Sequence, residues 1–252
     1  MFSTREFQDW AKENVVRFAA VMTRIEGRED DALLRTYGFR GFPSLALLDE
    51  RGEATNKRIG RDLTAMRTAV DATLAYRDLK SKVDAGEDYD RGDWLLSRIG
   101  LGMLDLATAT AEFEAHELEG AQRQAVIEQL VLLELPNLAT QARAGGDEEK
   151  AAQARVLALF RDGRTPPSGA NQQAQYDALL IAAAREAGDA EAIRYAFPRV
   201  RASLDERLAS YQRYLEQDPK DPQRIERIGP MIERTEREIA ELEAEAKTFA
   251  DR

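Results

Sequence analysis

From residue 89 to residue 250, apolar side chains recur at steps of three and four. They fall in six consecutive stretches that can bury a common face only as helices. The stretches are 89–117, 118–144, 147–161, 171–188, 190–217 and 222–250. Glycine and proline punctuate them explicitly, at Gly86, Gly145-Gly146, Gly188-Asp189 and Asp218-Pro219-Lys220-Asp221-Pro222. Connections this short are expected to make consecutive helices antiparallel neighbours. Arg164-Thr165-Pro166-Pro167-Ser168-Gly169 is the longest interruption and reads as a mobile loop. No apolar run reaches the ~18 residues that a membrane-spanning helix requires, so no membrane partner is expected.

The first 80 residues carry a different rhythm. Ser3-Thr4-Arg5-Glu6 has capping-box spacing, with Ser3 at the N-cap and Glu6 reaching back. The helix that follows brings Phe7 and Trp10 toward a core. Residues 15–22 (Val-Val-Arg-Phe-Ala-Ala-Val-Met) form a β-type run apolar enough for a buried strand. A short helix is expected at 31–37, stopped by Gly38. Residues 44–48 form a second apolar strand, and Asp49-Glu50-Arg51-Gly52 supplies hairpin turn chemistry. Residues 54–59 return as a third strand. Asp62 then opens a helix with Leu63, Met66, Val70 and Leu74 on one face.

The run Tyr37-Gly38-Phe39-Arg40-Gly41-Phe42-Pro43-Ser44, with the apolar strand and Asp-x-x-Gly turn after it, resembles the second half of the thioredoxin fold. The order of elements from Ser3 to Tyr76 is similar as well. The resemblance implies that Pro43, with Phe42 beside it, lines a surface binding extended substrate peptide next to a redox pair, and that the bond before Pro43 is cis. The departures are large. Thioredoxin-like oxidoreductases use Cys-x-x-Cys at a helix N-terminus, and this chain contains no cysteine. It also lacks the inner strand that precedes that helix in the family. Two readings follow. Either this is a shortened, redox-inactive thioredoxin-like unit, or it is the C-terminal part of a thioredoxin-family oxidoreductase whose strand, redox pair and export signal lie upstream of Met1. As written the chain reads as cytoplasmic; an upstream segment would allow export.

Counts of reactive residues exclude whole classes of chemistry. Without cysteine, and with His116 as the only histidine, thiolate metal sites, multi-histidine metal sites, iron–sulfur clusters and a cysteine nucleophile are ruled out for these residues. No cofactor is expected. A net charge of −10 leaves no basic footprint for nucleic acid. His116 reads as a helix-terminal residue. Glu148-Glu149 and Glu29-Asp30-Asp31 are paired carboxylates of the kind that bind metal or act as acid and base, but both precede helices, where acidic residues are favoured electrostatically, and no third ligand converges on them. Arg17, Arg24, Arg28 and Arg35 come without a glycine-rich phosphate loop, and Gly100-Leu101-Gly102 sits inside a helical pattern with no strand before it.

In the helical part, Ala209, Tyr211, Tyr214, Leu215, Asp218 and Pro219 resemble the end of a tetratricopeptide unit. Residues 176–188 followed by 190–204 give a matching helix–turn–helix, without clean 34-residue self-similarity. Pro198 is expected to kink its helix or displace the start. The last helix has the sharpest pattern: Ile225, Ile228, Ile232, Thr235, Ile239, Leu242, Ala246 and Phe249, flanked by Glu and Arg. Leu204, Leu208, Tyr211 and Leu215 offer a facing stripe. The seam Ile225, Ile228, Ile232, Ile239, Leu242 and Phe249 serves either an intramolecular antiparallel hairpin or a second copy or protein partner. The expected fold is α/β plus all-α. An incomplete thioredoxin-like unit (1–80) precedes an irregular, tetratricopeptide-like helical-repeat domain (81–252) ending in a helical hairpin. The expected function is non-catalytic protein–protein interaction.

Overall fold

The computed structural model describes residues 2–19, 32–41, 44–57, 59–167, 172–217 and 221–250. Contacts divide the chain into two compact units, Met1–Val126 and Ile127–Arg252.

In the first unit, α1 (Arg5–Asn14) is capped by Thr4, whose side-chain oxygen accepts from the Phe7 N–H, so the cap falls one residue after Ser3. Phe7 and Ala11, one turn apart, are buried, and the Phe7 ring meets Phe2 edge-on at 5.2 Å. The strand expected at 15–22 does not form over its described residues, 15–19. Val15 is extended (φ −145°, ψ 146°), but Val16 is fully exposed and Phe18 69% exposed. β-Branched residues favour extended backbone, yet a strand exists only where a neighbour takes up its N–H and C=O groups. The remainder, 20–22, lies outside the described residues.

The expected short helix is α2 (Leu33–Thr36). Of the sheet, β1 (Leu47–Leu48) and β2 (Ala54–Asn56) form an antiparallel pair, the one sheet among the described residues. Leu47 faces Asn56 and Leu48 faces Ala54, with an irregularity in register between them. The turn is built as its residues suggest. One carboxylate oxygen of Asp49 accepts from the N–H groups of Arg51 (2.9 Å) and Glu53 (2.8 Å), and Gly52 takes a positive φ of 78°. Tyr37 closes the turn by donating its hydroxyl proton to the Gly52 carbonyl at 2.8 Å.

α3 (Leu63–Ala85) opens on Asp62, which accepts from the Ala65 N–H at 2.8 Å, and ends at left-handed Gly86. Residue 80, the expected domain boundary, lies within this helix. Its buried face runs through Ala69, Val70 and Thr73, while Leu74 is 50% exposed. The expected single stretch 89–117 is two helices, α4 (Arg91–Gly100) and α5 (Leu106–Ala115). Gly102, at φ 74°, lets the Met103 N–H reach back to the Arg98 carbonyl (2.9 Å), a closure that terminates α4. Asp105 then caps α5 through the Thr108 N–H at 2.8 Å. The expected helical pattern is thus interrupted within Gly100-Leu101-Gly102: Gly100 is the last residue of α4, Leu101 its C-cap and Gly102 the break. Trp94 of α4 stacks on Tyr76 of α3 with centroids 5.5 Å apart and planes 9° apart. The Arg98 guanidinium lies 4.8 Å from the Trp94 ring and pairs with Glu112 of α5, tying three helices together. Both tryptophans of the chain, Trp10 and Trp94, are in this unit.

α6 (Gly120–Ala144) begins against α4. Gln122 donates to the carboxylates of Asp90 and Asp93, and its side chain fills the space that a Cβ on Gly92 would enter. Gly92→Ala is therefore expected to push the Gln122 side chain aside and cost about 0.5–1.5 kcal/mol through its hydrogen bonds to Asp90 and Asp93. Adding Gln122→Ala should restore or exceed the original stability, since alanine is the better helix former. Urea midpoints of the three variants decide it. A Gly92→Ala change as costly in both backgrounds would show that Gln122 is not the obstacle.

The second unit contains α7 (Gly146–Arg161), α8 (Gln173–Ala187), α9 (Ala190–Glu216) and α10 (Pro222–Ala250), within two residues of the expected bounds. Its core joins Val131 and Leu135 of α6, Val156 and Leu159 of α7, Tyr176 and Leu180 of α8, Ile193 of α9 and Leu242 of α10. Left-handed Gly188 followed by the N-cap Asp189 makes a two-residue turn, and α8 and α9 pack as a hairpin. α9 runs from Ala190 through Pro198 without a displaced start. Arg161, the last residue of α7, bonds to Asp189 at the α8–α9 turn (2.7 Å), and the Arg164 carbonyl accepts from the Tyr176 hydroxyl in the first turn of α8 (3.4 Å). Residues 168–171, between α7 and α8, and 218–220, between α9 and α10, lie outside the described residues.

Candidate interaction surface

The stripe on α10 is spent largely inside the chain. Ile228, Thr235, Ile239 and Leu242 are buried, Ile232 is half-buried and Ile225 is 49% exposed. The side chain of Phe249 lies outside what is described. α9 provides the facing side, with Leu204, Leu208, Tyr211 and Leu215 half-buried. Polar contacts set an antiparallel register. Arg201 bonds to Glu243 at 2.6 Å, Arg207 pairs with Glu238, and at the far end Arg227 donates to the Tyr214 hydroxyl at 2.6 Å. Arg224 donates to the Tyr214 carbonyl at 3.2 Å and lies 4.6 Å from its ring. Burial would raise the Glu238 carboxyl, but hydrogen bonds from Arg207 and Arg234 hold it below its ordinary range.

Between α9 and α10 lies an open hollow of ≈ 490 Å³ lined by Phe197, Glu243, Ala246 and Lys247. Phe197 and Ala246 supply its apolar lining, Glu243 and Lys247 one acid and one base. The acid is already held by Arg201, whose other terminal nitrogen pairs with Asp205 at 3.0 Å. Arg201 Nε is buried without a hydrogen-bond partner among the described residues.

Beside this hairpin, α8 and α9 share a buried ionic fork. The carboxylate of Asp177, 1% exposed, accepts from Arg199 Nε and Nη2, both at 2.8 Å, and from Gln173 at 3.0 Å. Arg199 remains 39% exposed and stacks 4.0 Å from the Tyr195 ring, which in turn meets Phe160 of α7 at 5.0 Å. Its guanidinium is held above its ordinary range by the hydrogen bond to Asp177. Burial, then the neighbouring Tyr195 and Asp177, pushes the Tyr176 phenol upward, so this ring stays neutral in the core. The fork was missed in the sequence. The available signal was a lone aspartate on the apolar face that carries Leu180, Ile181 and Ala184.

Asp189 binds the ends of three helices. Burial alone would raise its carboxyl, but the Ala192 N–H and the Arg161 guanidinium hold it below its ordinary range. A depressed folded-state pKa means that the unfolded state binds the proton first. This stabilisation is complete above pH ~4 and is lost as pH falls through the folded value. Asp189→Asn keeps a competent N-cap without the charge. It should therefore lose less stability than the parent between pH 7 and pH 3 in urea titrations; equal losses would contradict the assignment.

The other expected sites fall as follows. Phe42 and Pro43 lie outside the described residues, as do Glu29-Asp30-Asp31, Arg24, Arg28, Asp218 and Pro219. His116 is the C-cap of α5, its backbone N–H on the Phe113 carbonyl. Asp147, Glu148 and Glu149 occupy the first turn of α7, where acids suit the helix dipole. Arg17 follows α1 and Arg35 lies in α2. Among the described residues no group of three acidic or histidine side chains could hold a metal ion, and no helix is long and apolar enough to cross a membrane. Compared with known proteins, the chain matches no family model, no curated protein and no solved structure.

Proposed function

We propose that this chain is a non-catalytic helical-repeat protein that binds other proteins through the second unit. The observation that carries the reading is its packing order. α7, α8, α9 and α10 each rest on their sequence neighbours, as in helical arrays that present surface to partners, and the α9–α10 step leaves open a hollow lined by Phe197, Ala246, Glu243 and Lys247. In this reading Tyr211, Tyr214 and Leu215 close a tetratricopeptide-like unit. The segment from Tyr37, with β1, β2 and α3, is a thioredoxin-like remnant that plays a structural part. With no cysteine, these residues carry out no thiol–disulfide exchange.

A photocrosslinking phenylalanine analogue at Phe197 tests the proposal in the cell of origin. It should yield a covalent polypeptide adduct, resolved by mass spectrometry, that the same analogue at exposed Glu236 does not. An adduct of twice the chain mass would identify a second copy as the partner. Labelling at Phe197 no stronger than at Glu236, in a chain with unchanged helical circular dichroism, would remove the hollow as the binding surface.

A further inference from the structure

We draw no further inference here: the strongest candidate, the exposed apolar patch of Val16 and Phe18 in the segment after α1, carries nothing because nothing in the structure shows what covers it.

Discussion

Arg199→Met is expected to destabilise the second unit by about 3–5 kcal/mol, because it strands a carboxylate inside the protein. Asp177 is 1% exposed and would keep only Gln173 as a donor. The opposite truncation is milder. Asp177→Leu leaves a guanidinium that is already 39% exposed, so water can replace the lost partner, and a cost of about 1–3 kcal/mol is expected. The double variant should be more stable than Arg199→Met alone, since neither group then remains unpaired in the interior. Urea titrations followed by far-ultraviolet circular dichroism give all three values. Equal costs for the two single changes, or strict additivity in the double, would mean that the fork is not energetically coupled.

The second large effect concerns two leucines that look alike in sequence. Both Leu74 and Leu180 sit on the apolar stripe of a helix. Leu180 is wholly buried among Leu135, Val156 and Tyr176, whereas Leu74 is half exposed on α3. Leu180→Ala should cost about 2–5 kcal/mol, combining the lost transfer free energy with the void left behind. Leu74→Ala should stay within about 0.5 kcal/mol, as for surface positions in general. A Leu180→Ala change below about 1 kcal/mol would show that the second unit is not held by this core.

The contrast marks what could be read from the chain. Helices close their own hydrogen bonds within four residues, so Asp62, Gly86, Gly188 and Asp189 announce their ends locally, and the observed caps stand at those positions. Strands depend on a partner elsewhere. Residues 15–19 have strand composition and no strand, while the hairpin around Asp49 and Gly52, whose turn is local, forms as expected. Periodicity also failed to mark the end of α4. The apolar rhythm runs across Gly100-Leu101-Gly102, and only the left-handed backbone of Gly102 ends the helix. Of the α10 stripe, Ile228, Ile239 and Leu242 are buried within the chain, where α10 packs on α9. The hollow was not legible, because Phe197 and Lys247 are brought to one place only by the antiparallel register of α9 and α10. Likewise Asp177 and Arg199, 22 residues apart, meet only after the α8–α9 turn is made.

The placement of both indoles in the first unit divides the molecule optically. Trp10 and Trp94 sense their immediate surroundings, so selectively excited tryptophan emission arises in residues 1–126, while the emitters of the second unit are its tyrosines. A preparation whose second unit had melted could keep a native emission maximum. Conversely, a tryptophan placed at Phe160, against Tyr195, would provide an optical signal for that unit beside the ionic fork.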